Sequence, residues 1–154
     1  MSRPYVMMTP ATLAHRFLNL AEVPGDKSNP QVLAMLQLVS GTVQDDETPW
    51  CSAFVNYIAW LLGCDRSHSL AARSWLKVGK LVDPTEAGIG FHVVVLQRGV
   101  GPQPGPSVID APGHVGFFYG YDRGGGVTVL GGNQGNKVSL ATYSKSRILG
   151  IREI

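Results

Sequence analysis

Cys51, His114 and Asn133 are residue types that together can carry out acyl transfer. A thiol attacks a carbonyl as its thiolate, so it needs a base within hydrogen-bond reach. The base in turn needs a third group to hold its ring. Cys51 lies in Thr48-Pro49-Trp50-Cys51-Ser52, His114 in Gly113-His114-Val115-Gly116, and Asn133 in Gly131-Gly132-Asn133-Gln134. His15, His68 and His92 fit the base less well, being in a helical segment, a loop and an apolar run. Metal chemistry fits poorly, because neither C-x-x-C nor H-x-x-x-H spacing occurs.

The elements that must position these groups can be read from the local pattern. Thr48 suits a helix N-cap and Pro49 the first helical position. Phe54, Val55, Ile58, Leu61 and Leu62 then recur at helical spacing, and Gly63 is a natural stop. This register places Cys51 in the first turn, where free N–H groups and the helix dipole are expected to lower its pKa. A small buried apolar residue is the alternative reading. His114 opens a strand over 113–121 whose side chains alternate faces. Val115, Phe117, Tyr119 and Tyr121 share a core-like face; His114 shares the other with Gly116, Phe118 and Gly120, which leave open space suited to a cleft. A glycine-rich hairpin turn at 122–126 returns the chain antiparallel, so that Asn133 comes back level with His114.

Upstream, Thr9-Pro10 starts a helix to about Ala21, Asp26-Lys27-Ser28 is a polar turn, and Asn29-Pro30 starts a second helix. Asp45, Asp46 and Glu47 close the loop before the cysteine helix. Carboxylates bunched in a loop suit calcium, but the spacing is not that of an EF-hand, and acids before a helix also favour its dipole. Ser69 caps a short helix over 70–78, and 91–97 is a β-branched strand. Residues 99–113 hold four prolines and four glycines, which predicts a loop without structure of its own, a lid or binding rim. Short strands at 138–140 and 149–152 complete an α+β chain: helices first, then an antiparallel sheet of four to five strands, in one domain over 1–154.

Composition narrows the function classes. With 44% apolar and 16% charged residues, the 154-residue chain can bury a core and is not disordered. A net charge of +2 without a basic cluster gives no argument for nucleic acid but permits an acidic polymer. Cys51 and Cys64 stand near opposite ends of one helix, too far apart to bridge. No apolar run reaches signal-peptide or transmembrane length. The expectation is therefore a monomer made in the cytoplasm, not inserted in a membrane, that acts outside only when something else carries it.

Four blocks carry a resemblance: Asp-Asp-Glu-Thr-Pro-Trp-Cys-Ser-Ala-Phe-Val-Asn (45–56), Ala-Ala-Arg-Ser-Trp-Leu (71–76), Gly-His-Val-Gly-Phe (113–117) and Leu-Gly-Gly-Asn-Gln-Gly-Asn (130–136). They resemble the CHAP-type branch of papain-like peptidoglycan hydrolases, which occur as phage endolysins, virion-associated lysins and bacterial cell-wall enzymes. The resemblance runs from Glu22 to Arg152. It implies a papain-like fold that cleaves an amide of peptidoglycan through a thioester, as an N-acetylmuramoyl-L-alanine amidase or a stem or cross-bridge endopeptidase. By position it implies Cys51 as nucleophile, His114 as base and Asn133 as the residue holding the imidazole. Some relatives carry an acid two positions before the asparagine; Gly131 stands there, so no fourth catalytic carboxylate is implied. Trp50, Ser52, Arg73, Trp75 and Gln134 are candidates for lining the cleft. The two tryptophans also read as core, and Arg73 as a partner for a stem-peptide carboxylate or a salt bridge. No cofactor is implied, with Asp45, Asp46 and Glu47 as weak calcium candidates because some relatives bind that ion. Action in the periplasm or wall follows release, virion delivery or secretion. Two other classes stay open: a non-catalytic wall-binding or tail-structural protein, and an acyltransferase using the same Cys/His pair.

Overall fold

Alternating apolar residues give the central strands two faces to cover, and the architecture covers both. The computed structural model describes residues 2, 4–25 and 27–154; Met1 and Arg3 of the N-terminal stretch and Asp26 of the expected polar turn lie outside the described residues. Helices α1 (Pro10–His15), α2 (Pro30–Val39) and α3 (Cys51–Leu62) precede strands β1 (Lys80–Val82), β2 (His92–Gln97), β3 (Gly113–Tyr121), β4 (Gly126–Gly131), β5 (Ser139–Ser144) and β6 (Ile148–Glu153). The strands form one sheet in the order β1-β6-β2-β3-β4-β5, every pair antiparallel. The fold is α+β, with six strands where four to five were expected. The additional strand, β1, has three residues, two of them exposed, so it carries almost no apolar alternation.

One face packs on the helices. Phe54, Val55 and Ile58 of α3 are buried together with Val93, Val95, Val115, Phe117 and Leu130. The rings of Phe54 and Phe117 meet edge-on, 6.2 Å between centroids. Leu61 points outward at 43% exposure, so the apolar face of α3 is narrower than its sequence suggests. The opposite sheet face buries Val94, Leu96, Phe118, Val127, Val129 and Ile151. It is not the open surface expected around His114: a Cβ at Gly116 would come within 2.4 Å of Val129 Cγ1 and 2.9 Å of Leu130 O. Gly116 is small because β4 packs against it, and the His114 end of β3 meets a cavity.

The helices start largely where capping chemistry puts them. Thr9 and Thr12 form a reciprocal box at α1, and Asn29 accepts from Gln31 N at α2. Helix α1 ends at His15, six residues short of the expected Ala21; the chain leaves in turns, and Asn19 at φ 72° donates to Val138 O. The expected helix over 70–78 is a 3-10 helix at Ala72–Lys77. Residues 99–113 contain no helix or strand before β3 begins at Gly113, as their composition predicts. No helix among the described residues is long and apolar enough to cross a membrane.

Candidate active site

Cys51 is the first residue of α3, and Trp50 is the N-cap, with no side-chain cap. The helix thus begins two residues later than the Thr48–Pro49 pattern predicts. The first helical bond at this end is Phe54 N to Trp50 O, so the N–H groups of Cys51 and Ser52 remain outside the helical ladder. Both lie near the Cys51 sulfur, as does the N–H of Val115, the residue after His114. This places the thiol against the start of β3. Cys51 is 4% exposed and reaches solvent through a cavity of about 260 Å³, shared with Ala72, Arg98, Asp110 and Pro112.

His114 is also buried, and its Nε2 lies 2.8 Å from Oε1 of Gln134. Gln134 cannot rotate its amide without loss. Its Nε2 donates to Ser139 O at 2.6 Å and to Val129 O at 3.2 Å, while Oε1 also accepts from Tyr143 Oη at 3.1 Å. A flipped amide would set oxygen against two carbonyls and leave the imidazole facing an NH₂ group. Oε1 is therefore an acceptor, the proton on His114 is on Nε2, and the lone pair is on Nδ1. With Nδ1 unprotonated, the ring can take a proton there.

The expectation that Asn133 holds the imidazole differs from what is found: the ring donates its hydrogen bond to the neighbouring residue, Gln134. Asn133 sits at φ 57°, in the left-handed region, and lines the cavity beside His114. Strand β4 explains the shift. Phe117 pairs with Leu130, which carries Gly131 beside Gly116, two residues along β3 from His114. A Cβ at Gly131 would lie 2.8 Å from Gln134 Oε1 and 3.2 Å from His114 Nε2. The glycine leaves the volume through which Gln134 reaches back.

Burial sets the protonation states. It pushes the Cys51 thiol above its ordinary value of 9.0, opposed by the N–H groups of Val115, Ser52 and Cys51 and by the Arg98 charge. The lowering expected from the helix start is present but outweighed. Burial likewise pushes His114 below 6.5, against the hydrogen bond it donates to Gln134 and with the Arg98 charge. At neutral pH the pair rests as thiol and neutral imidazole.

No family model matches this sequence, and no curated protein matches it. A solved structure does: NlpC1 from Trichomonas vaginalis, with a TM-score of 0.55 at 14% identity, over 98% of this chain and 46% of the other. The fold is papain-like. The chain spans about half the length of that neighbour.

Around the papain-like cleft, most residues expected to line it support it instead. Trp50 is fully buried and donates to Glu22 Oε1 at 2.6 Å. Trp75 is fully buried and donates to Ser52 Oγ at 2.9 Å, and Ser52 in turn donates to Ser69 O at 2.6 Å. Asn56 ties the same network to Ser67 and to His68 N. Arg73 is fully buried and has no ion-pair partner among the described residues. Its Nε donates to Pro112 O, and its Nη1 to Pro104, Gly105 and Val108 carbonyls at 2.8–3.1 Å. It holds the 99–113 loop from beneath, so that Asp110 and Pro112 form the rim beside Cys51.

The remaining histidines and acids have other partners. His92 Nδ1 accepts from Gly88 N, and His15 stacks on Tyr119. Asp46 is buried and accepts from Val23 N and Asn29 N, tying the loop before α3 to the start of α2. Asp45 accepts from Glu47 N in a local turn. Among the described residues no cluster of three or more His, Cys, Asp or Glu side chains could hold a metal ion. Both cysteines are free thiols, Cys64 lying beyond the far end of α3. Three cleft residues went unnoticed in the sequence: Arg98, Tyr143 and Arg147 line the cavity that holds His114, and no motif marks them.

Proposed function

We propose that this chain is a cysteine hydrolase that cleaves an amide bond of bacterial peptidoglycan, as an amidase or a stem or cross-bridge endopeptidase. One observation carries the reading: the fixed Gln134 amide holds His114 as the Nε2–H tautomer and leaves the Nδ1 lone pair free to act as a base. Such a constraint on a buried imidazole serves proton transfer. The papain-like fold and the four sequence blocks support the wall as substrate.

The mechanism follows from the resting states. Because the pair is neutral, the Cys51 proton passes to His114 Nδ1 as sulfur attacks the amide carbonyl. The oxyanion forms near the N–H groups of Cys51 and Ser52 at the head of α3. His114 then gives its proton to the leaving nitrogen as the C–N bond breaks, leaving a thioester. Water attacks the thioester, His114 takes the water proton, and as the C–S bond breaks His114 returns that proton to the Cys51 sulfur, restoring the neutral pair. Gln134 accepts the Nε2 hydrogen bond throughout and keeps the ring from turning.

Purified peptidoglycan incubated with wild type and with Cys51→Ala tests the proposal. Soluble fragments from wild type alone are expected, and their masses identify the bond. No release by either, from walls of several chemotypes, would instead favour a non-catalytic wall-binding protein. Transfer to an added amine in place of water would mark an acyltransferase.

A further inference from the structure

The cavity beside His114, about 190 Å³, is lined by two guanidinium groups, Arg98 and Arg147, and by no carboxylate. Among the described residues neither arginine makes a salt bridge, and the one ion pair present, His92 with Glu153, lies elsewhere. Among the described residues the Arg147 side chain makes one hydrogen bond, from Nη2 to Gly99 O at 2.9 Å, and the Arg98 side chain none. Two like charges converging on one polar hollow repel each other, and a bound anion would relieve this. Guanidinium forks match a carboxylate in both shape and charge.

We propose that Arg98 and Arg147 form a carboxylate-binding subsite on the His114 side of the cleft, so that the chain prefers a substrate with a free carboxylate beside the scissile amide. The proposal rests on the reading of the cleft as a peptidoglycan hydrolase site. Its position follows from Arg98, which lines both this cavity and the one opening on Cys51. A substrate spanning the two passes Arg98 at the point where its amide meets the thiol. Peptidoglycan stem peptides offer such a group, the α-carboxylate of a γ-linked glutamyl residue, which some walls carry as the carboxamide. Recognition would also assist the chemistry. Burial chiefly, and the Arg98 charge in addition, hold His114 below its ordinary pKa, so a carboxylate that neutralises that charge makes the imidazole a stronger base once substrate is bound.

The test uses N-acetylmuramoyl-L-alanyl-γ-D-glutamyl-L-lysine amide with the glutamyl α-carboxylate free, and its α-carboxamide counterpart. Binding of each to the Cys51→Ala chain is measured by calorimetry, and cleavage of each by wild type is followed separately. Charge-assisted hydrogen bonds of this kind correspond to roughly 10- to 100-fold tighter binding of the acid. That ratio should fall toward one when Arg98→Gln or Arg147→Gln is added, and Arg147→Lys should restore part of it. Equal binding of the two peptides, binding of neither, or a ratio unchanged in both arginine variants overturns the subsite. Discrimination in binding, with neither peptide cleaved by wild type and no fragment released from whole peptidoglycan, would retain the subsite and remove the hydrolase reading. Equal cleavage of both would do the reverse.

Discussion

His114 Nε2 and Gln134 Oε1 lie 2.8 Å apart, and the other end of the same amide is anchored to Ser139 O and Val129 O. This pair decides which ring nitrogen can accept a proton. Removing the anchor and removing its neighbour should therefore have different consequences. Gln134→Ala frees the ring to rotate and is expected to lower kcat by about 10²-fold, the lower end of what a positioned acid–base group contributes. Asn133→Ala should change it only a few-fold. Gln134→Glu would set a carboxylate against Nε2–H, raise the His114 pKa and move the acid limb of kcat/KM to higher pH. Equal losses in Gln134→Ala and Asn133→Ala, with an unmoved acid limb in Gln134→Glu, would reject Gln134 as the positioning residue.

A neutral resting pair makes a specific claim about thiol reactivity. Burial raises the Cys51 pKa above 9.0, so the rate of iodoacetamide labelling should keep rising through pH 9. A Cys–His ion pair would instead give a plateau well below neutrality. Mass spectrometry of the peptides containing Cys51 and Cys64, labelled from pH 5 to 10, separates the cases.

The same burial acts on stability. The folded His114 has a pKa below 6.5 and so resists a proton that the unfolded chain accepts. Its contribution is fully present above the unfolded value and declines as pH falls from 6.5 toward the lower folded value. Thermal melts of Cys51→Ala should lose stability over that window. Cys51→Ala/His114→Gln should lose measurably less, and parallel curves would show that His114 does not titrate in this way.

Periodicity and capping made much of the fold legible. Thr9, Asn29 and Gly63 mark helix boundaries through local chemistry, and the apolar runs at 91–97 and 113–121 are strands because both their faces are covered. The short edge strand β1 was not legible, since Lys80 and Leu81 are exposed and its pairing partner β6 lies about 70 residues away. Cys51 and His114 stood out by residue type. The choice between Asn133 and Gln134 did not, because both are amides one position apart and the contacts that anchor Gln134, to Val129, Ser139 and Tyr143, have no mark in the motif. Trp50, Ser52, Arg73 and Trp75 lie in the resembling blocks, yet their partners are Glu22, Ser69, the 104–112 carbonyls and Ser52. Sequence showed that these residues adjoin the cleft; long-range packing turned them away from it.

That distinction gives a prediction for Trp75. Trp75→Phe keeps most of the buried ring but deletes the donor to Ser52 Oγ, leaving an acceptor with one partner fewer in a dry site. A loss of about 1–2 kcal/mol in unfolding free energy is expected, with KM unchanged. A raised KM at unchanged stability would put Trp75 in contact with substrate.

Arg73 should act on the rim through the loop it holds. Its guanidinium reaches four carbonyls between Pro104 and Pro112, a span that a lysine ammonium cannot cover in the same planar geometry. Arg73→Lys keeps the charge and should preserve the fold, yet leaves buried carbonyls without donors at about 1–3 kcal/mol each where water cannot reach them. The loop then opens locally before the domain does. Hydrogen exchange of the 99–113 amides should rise at least tenfold in Arg73→Lys, while amides of β2 and α3 remain protected. Because Asp110 and Pro112 wall the cavity at Cys51, KM should increase more than kcat falls. If exchange rises equally in α3 and the loop, Arg73 is a core residue of the whole domain and the rim has no separate dependence on it.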